Sequence, residues 1–304
     1  VKAPFPYFGG KRRVAPEIWE AFGDVDNYVE PFAGSLAVLL ERPAWHQSAR
    51  LETVNDADCY LSNFWRAVTA EPDEVARFAD WPVNECDLFA RHLWLVNEGR
   101  QRIERMEADP DFYDAKVAGW WVWGICSWIG SGWCAGSGPG RGVNRQLPHL
   151  GNAGRGEPPI YGYFRALASR LRNVRVCCGD WSRVVTQGAL VYGSTVGILL
   201  DPPYQGDLRD GDVYRTDDPD VSSAVREWAI ANGDDPRYRI ALCGYETEHA
   251  DFMPTKWRKH TYSAKRAYGT AGNKDSRNNT NRHQERIWFS PWCLQPQTNL
   301  WTHP

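Results

Sequence analysis

The sequence predicts an α/β fold, a mostly parallel twisted sheet wrapped by helices on both sides and interrupted by an inserted subdomain. Three observations point to it. Short apolar runs alternate with amphipathic helical stretches over residues 14–68 and again over 163–290. Two of those runs, "NYVE" and "VGILLD", deliver an acidic residue straight into a proline, as strands that stop at a functional edge do. The alternation lapses over residues 66–165, where Trp, Gly and Arg crowd together without a clear period.

Each element has its own justification. "VAPEIWEAFG" places Val14, Ile18, Trp19 and Phe22 on one helical face, with Pro16 tolerated in the first turn and Gly23 as the stop. "NYVEPF" reads as a strand, followed by a helix from Ser35 to Arg42 that Pro43 ends. "ARLETVND" is a second strand, leading into the helix "ADCYLSNFWRAV". Beyond the insert come the helix "YFRALASRLRN", the strands "VRVCCGD" and "VGILLD", and the helix "VSSAVREWAIANG" with Asp220 as its N-cap. The strands "RYRIALCGY" and "ERIWFS" follow, and the proline-broken "PWCLQPQTNLWTHP" reads as extended. The domain boundaries expected are a cofactor-binding part over residues 1–65, the insert over 66–165, and the rest of the catalytic domain over 166–304.

Composition excludes several classes. With 304 residues, 42% hydrophobic and 24% charged, the chain reads as a soluble globular protein. No apolar run approaches the ~18 residues of a membrane span, and "VKAPFPYFGGKRR" has no signal-peptide core, so action inside a cell is expected. The 8 cysteines show neither Cys-x-x-Cys pairs nor Cys/His metal spacing, which implies reduced thiols rather than a disulfide framework or zinc. A formal charge of −3 gives no global pull towards nucleic acid, although basic residues cluster over 141–175 and 256–286.

Two turns carry chemistry. At "YVEPFAGSLAV", Glu30 precedes a glycine turn at the end of a strand, where a phosphate binder would show a lysine and a glycine-rich fingerprint. The glutamate would repel phosphate and suits an ammonium or sulfonium; S-adenosylmethionine carries both. At "VGILLDPPYQ", an apolar strand presents Asp201, then Pro202 and Pro203, whose carbonyls are free to accept, then Tyr204. An adenine amino group donating to the Asp201 carboxylate and the Pro202 carbonyl would be pyramidalised for attack on a methyl sulfonium, with Tyr204 stacked on the base.

"PFPYFGGKRR", "YVEPFAGSLAV", "ETVNDADCYLSNF" and "DPPY", in this order, resemble the Dam-like family of S-adenosylmethionine-dependent DNA N6-adenine methyltransferases. The resemblance covers about the first 65 residues and the stretch from about 170 to 290, leaving the middle outside, and "WSRVV", "GYETEH" and "RIWFSP" are similar to versions carried by bacterial viruses. It implies a Rossmann-like methyltransferase fold acting on DNA in the cytoplasm of a bacterial or infected host cell, with no metal. Tyr7 and Lys11 match the motif placed against the cofactor's methionine part, and Glu30, Pro31, Phe32, Gly34 and Ser35 the glycine motif beneath it. Asp56 matches the acidic residue that holds the ribose hydroxyls, and Asp180 and Trp181 the pair flanking the cofactor's adenine. Asp201 to Tyr204 match the catalytic motif, with Asp201 also beside the cofactor.

The sequence departs from the family at Tyr7, where many members have Trp, and at Leu36, where a second small residue is common. Both look tolerable for packing. In the insert, Trp120, Trp121, Trp123, Trp128 and Trp133 read as the core of a small subdomain. "GPGRGVNRQLPHLGNAGRG" offers Arg141, Asn144, Arg145 and Arg155 to phosphates and base edges, and a late loop offers Lys265, Arg266, Lys274 and Arg277. Methylation of the cytosine amino group, RNA as substrate, and a silent nucleic-acid-binding protein with a methyltransferase fold stand as alternatives.

Overall fold

The computed structural model describes residues 1–7, 10–45, 50–107, 109, 111–129, 132–135, 142–143, 160–203, 221–262 and 285–296. Its centre is a seven-stranded sheet in the order β3-β2-β1-β4-β5-β7-β6. β1 (Asn27–Glu30), β2 (Leu51–Asp56), β3 (Val174–Cys178), β4 (Val196–Leu200) and β5 (Tyr238–Tyr245) run parallel. β7 (Glu285–Phe289) runs antiparallel to β5, and the edge strand β6 (Arg258–Thr261) pairs antiparallel with β7. β1 pairs β2 on one side and β4 on the other, so the order reverses at β1, and in open parallel sheets that is where ligands bind, at the carboxyl ends of the strands.

Both faces are covered. One core gathers Phe22, Tyr28, Phe64, Trp65 and Cys243 with Ile287 and Phe289; the other gathers Val29, Ile198, Leu200 and Leu242 with Trp288. Alternation along each strand sends successive side chains to opposite cores, and each fully buried Phe or Leu contributes about 1.5–3 kcal/mol. α1 (Ala15–Phe22) ends at Gly23 with φ +59°. α2 (Cys59–Ala70) starts at an Asp58 cap that accepts from the Tyr60 amide at 2.8 Å. Deep in the first core Glu52 receives two guanidiniums, Arg42 at 3.0 Å and Arg170 at 2.6 Å.

The helix expected from Ser35 to Arg42 is absent. In its place is a left-handed turn and a short 3-10 segment at Leu39–Glu41, because Gly34 and Leu36 both take positive φ, +48° and +56°, and an α-helix cannot run through them. The edge strand β6 had no apolar alternation to announce it.

The middle of the chain, expected to be an inserted subdomain with long loops, carries several helices among its described residues. α3 (Pro72–Ala79), α4 (Glu85–Trp94), α5 (Arg100–Glu104), α6 (Ala115–Ser127) and α7 (Ile160–Leu171) occupy it, with a π-helical stretch over Leu95–Gly99. Trp121 and Trp123 are buried, and Trp120, Trp128 and Trp133 pack against the same core, so these indoles are structural. α6 lacks a strong polar face because it lies between other helices, which is why its sequence shows no amphipathic period. α8 (Val221–Asn232) and α9 (Glu246–His249) complete the described helices. Among the described residues no helix is long and apolar enough to cross a membrane.

Candidate active site

The carboxyl end of β1 delivers Glu30 into near-complete burial, 4% exposed. Tyr28 lies two residues earlier on the same strand face, and its hydroxyl donates to Glu30 Oε2 at 2.9 Å. Burial pushes the Glu30 carboxyl up to about 8, against the Tyr28 hydrogen bond and with help from the negative charge of Asp201. Such a group loses its proton readily only when a cation is placed beside it.

The turn after β1 is shaped by Gly34. Its φ of +48° favours glycine, and an added Cβ would lie 2.8 Å from the Tyr7 ring, so the tyrosine packs flush on this turn. The Gly34 amide donates to Asp56 Oδ2 at 2.9 Å, and the Asp58 amide to Asp56 Oδ1 at 2.9 Å. Burial raises the Asp56 carboxyl to about 6, against the Asp58 amide and with the charge of Asp58 adding to the rise. Asn55 ties the strand ends together: its amide donates to the Pro31 carbonyl at 3.0 Å and the Gly179 carbonyl at 2.9 Å. Ser35 and Pro31 are buried in the turn.

At the end of β3, the Asp180 carboxylate caps a short 3-10 turn, Trp181–Val184, accepting from the Ser182 amide at 2.9 Å. Trp181 stacks with Phe32 at 6.2 Å between ring centroids, giving the β1 and β3 ends a shared aromatic wall.

At the end of β4, Asp201 meets Lys11, Nζ to Oδ1 2.9 Å, with side-chain exposures of 4% for the lysine and 19% for the aspartate. Burial alone would lower the Lys11 ammonium; Asp201 foremost, then Tyr262, Glu285 and Cys243, hold it well above its ordinary value. Asp201 therefore lies beside a cation held in place by burial. Pro202 is buried and Pro203 half-buried.

The structure thus brings Tyr7, Lys11, Glu30, Pro31, Phe32, Gly34, Ser35, Asp56 and Asp201 to one edge of the sheet, with Asp180 and Trp181 at the neighbouring strand end. Tyr204, Arg141, Asn144, Arg145, Arg155, Lys265, Arg266, Lys274 and Arg277 lie outside the described residues. Sequence reasoning missed Tyr28 and Asn55, although the alternation of "NYVE" already puts Tyr28 on the face of Glu30. It also missed Tyr262, whose hydroxyl donates to Glu285 Oε2 at 2.6 Å, since nothing in the local pattern marks either residue.

Carboxyl groups at the ends of β1, β2 and β4, one of them braced by a buried lysine, make an edge suited to a ligand with positive charge and hydroxyl donors. Residues 7–84, which carry Lys11, Glu30, Gly34 and Asp56, match the D12 class N6 adenine-specific DNA methyltransferase family. No curated protein matches the chain. The mostly parallel sheet with its switch at β1, and the matched segment folded across that switch, support adenine-specific methylation of DNA as the reaction, with S-adenosylmethionine as the donor that the matched family implies.

Proposed function

We propose that this edge seats S-adenosylmethionine and presents to it an adenine flipped out of double-stranded DNA. The residues fit the group: a glycine turn with no room for a Cβ beneath Tyr7, and carboxyl groups rather than a phosphate cradle at the strand ends. When bound, S-adenosylmethionine supplies an electrophilic methyl group on a positively charged sulfur. Glu30 offsets positive charge on the methionine part, Asp56 accepts from ribose hydroxyls, and Phe32 and Trp181 flank the cofactor's adenine. Tyr7, Pro31 and Ser35 shape the floor, and Asp180 fixes the turn that carries Trp181.

Asp201 accepts one hydrogen of the target amino group and the Pro202 carbonyl the other, which turns the nitrogen lone pair out of the ring for in-line attack. Pro203 keeps that turn stiff, and Tyr204 stacks on the base. As the nitrogen would take the methyl group, the methyl carbon–sulfur bond would break to leave S-adenosylhomocysteine as a neutral thioether, and the surplus proton on nitrogen would pass to Asp201, which Lys11 braces. Flipping is required because the amino group is paired within the duplex. Arg141, Asn144, Arg145 and Arg155 in the middle segment and Lys265, Arg266, Lys274 and Arg277 near the end supply phosphate and base contacts.

The observation that carries this reading is the buried Lys11–Asp201 pair at 2.9 Å, at the switch point of the sheet. The test is incubation with unmethylated duplex DNA and S-adenosylmethionine, followed by digestion and mass spectrometry of the nucleosides. N6-methyladenine is expected with the wild-type protein and background only with Asp201→Ala. Near wild-type turnover by that variant would refute the role given to Asp201.

A further inference from the structure

A pair of thiols sits behind the ribose-side carboxylate. Cys178 ends β3 and Cys59 opens α2; their sulfurs are 3.9 Å apart, and both residues are half-buried. None of the eight cysteines is in a disulfide, and no other two sulfurs among the described residues are linked in this way. Cys178 is the register partner of Asp56 across β2 and β3, and the next residue, Gly179, donates its amide to the Asp56 carbonyl at 3.1 Å. On the other side, the turn that leads from Asp56 to Cys59 is built on Asp56 Oδ1 accepting the Asp58 amide. Asp56 is therefore held between the two backbone segments that carry the sulfurs.

We propose that Cys59 and Cys178 form a modification site, a dithiol that a hydroperoxide converts to a disulfide, and that closing it displaces Asp56 and weakens cofactor binding. The effect on binding rests on the role given above to Asp56; the disulfide does not. The step balances. The Cys178 thiolate sulfur attacks one peroxide oxygen, the O–O bond breaks, and the alcohol, or water from hydrogen peroxide, leaves with a proton. The Cys59 sulfur then attacks the resulting sulfenic acid and expels water. Two electrons pass from the two sulfurs to the peroxide.

The chemistry of the pair supports this order. The hydrogen bond between the two thiols lowers the Cys178 thiol to about 7, helped by Ser62 and opposed by burial and by the charges of Asp56 and Asp58, which favours its thiolate over those of ordinary cysteines at neutral pH. Adjacent Cys177 is the opposite case, raised by burial despite nearby Arg175 and Arg183. A disulfide requires about 2.05 Å between sulfurs, so the 3.9 Å gap has to close, and in the proposed change the first turn of α2 moves towards β3. The Asp56–Asp58 turn lies in that path.

The experiment treats the reduced full-length protein with graded hydrogen peroxide and reads two quantities. Peptide mass spectrometry under non-reducing conditions locates any 59–178 disulfide, and calorimetry measures affinity for S-adenosylmethionine before oxidation, after it, and after dithiothreitol. The disulfide is expected ahead of oxidation at exposed Cys86, with about a tenfold or greater loss of affinity that dithiothreitol restores. Cys59→Ser and Cys178→Ser should keep the reduced protein's affinity under peroxide, and Cys177→Ser should behave as wild type. Oxidation of Cys86 with no 59–178 disulfide would overturn the site, and a disulfide with unchanged affinity would overturn its coupling to Asp56. Reduced protein that binds no S-adenosylmethionine would overturn the proposed cofactor seat and still leave the disulfide measured.

Discussion

In the proposed cofactor seat, burial of Glu30 would make the binding of a cationic cofactor dependent on pH, and the size of the effect follows from that burial. In the ligand-free protein its carboxyl titrates at about 8, so at pH 7 about ten molecules in eleven carry the proton. If a cation beside Glu30 requires the carboxylate, binding at pH 7 releases about 0.9 proton. Affinity then rises about ninefold between pH 6 and pH 7 from this group alone. Asp56, near 6, adds about a further twofold over the same interval. Calorimetry in two buffers of different ionisation enthalpy counts the protons directly, and Glu30→Gln, which keeps an acceptor for Tyr28, isolates the term. Wild type should release close to one proton at pH 7 and the variant almost none.

The same group acts on stability with a defined sign. Its folded value lies above its ordinary 4.5, so its contribution is fully present below pH 4.5 and is lost as pH rises through about 8. That span corresponds to at most about 5 kcal/mol, so ligand-free Glu30→Gln should be more stable than wild type at pH 9 and gain little at pH 5. No proton release on binding, together with equal melting of both proteins at pH 9, would refute the reasoning.

Other substitutions test separate parts of the site. Gly34→Ala must place a Cβ 2.8 Å from the Tyr7 ring at φ +48°, so affinity for S-adenosylmethionine measured by calorimetry should fall at least tenfold while circular dichroism shows a folded protein. Lys11→Met leaves Asp201 without the ammonium at 2.9 Å; the acidic limb of the rate profile should move to higher pH, and urea melts should show a loss of about 3 kcal/mol. Glu52→Gln leaves Arg42 and Arg170 buried without their shared carboxylate, which should cost about 3–5 kcal/mol in the same melts with the specific activity of the folded fraction unchanged.

What the sequence made legible was whatever depends on short range. The strands β1, β2 and β4 were readable because their apolar runs stop at charged or proline residues, and Glu30, Asp56 and Asp201 sit at those stops. The stretch after Gly34 was misread because its apolar residues have helical spacing, while Leu36 at φ +56° is held by packing from the surrounding core rather than by local preference. Among the middle helices, α6 was missed because it is buried among neighbours and shows no polar face. The Lys11–Asp201 pair joins residues on opposite sides of that segment, and neither neighbourhood states that the other will arrive.

The central position of β1 has a consequence for how the protein is made. Its register with β4 pairs Asn27 with Val196, about 170 residues later in synthesis. At about 5–20 residues per second, the nascent chain spends about 8–35 seconds on the ribosome with one side of β1 unsatisfied. During that interval the emerging half carries Glu30, Asp56 and a lysine whose aspartate has not yet been translated. The bare side of β1 is a natural target for chaperones, and the proposed site is incomplete until β4 docks and Asp201 meets Lys11.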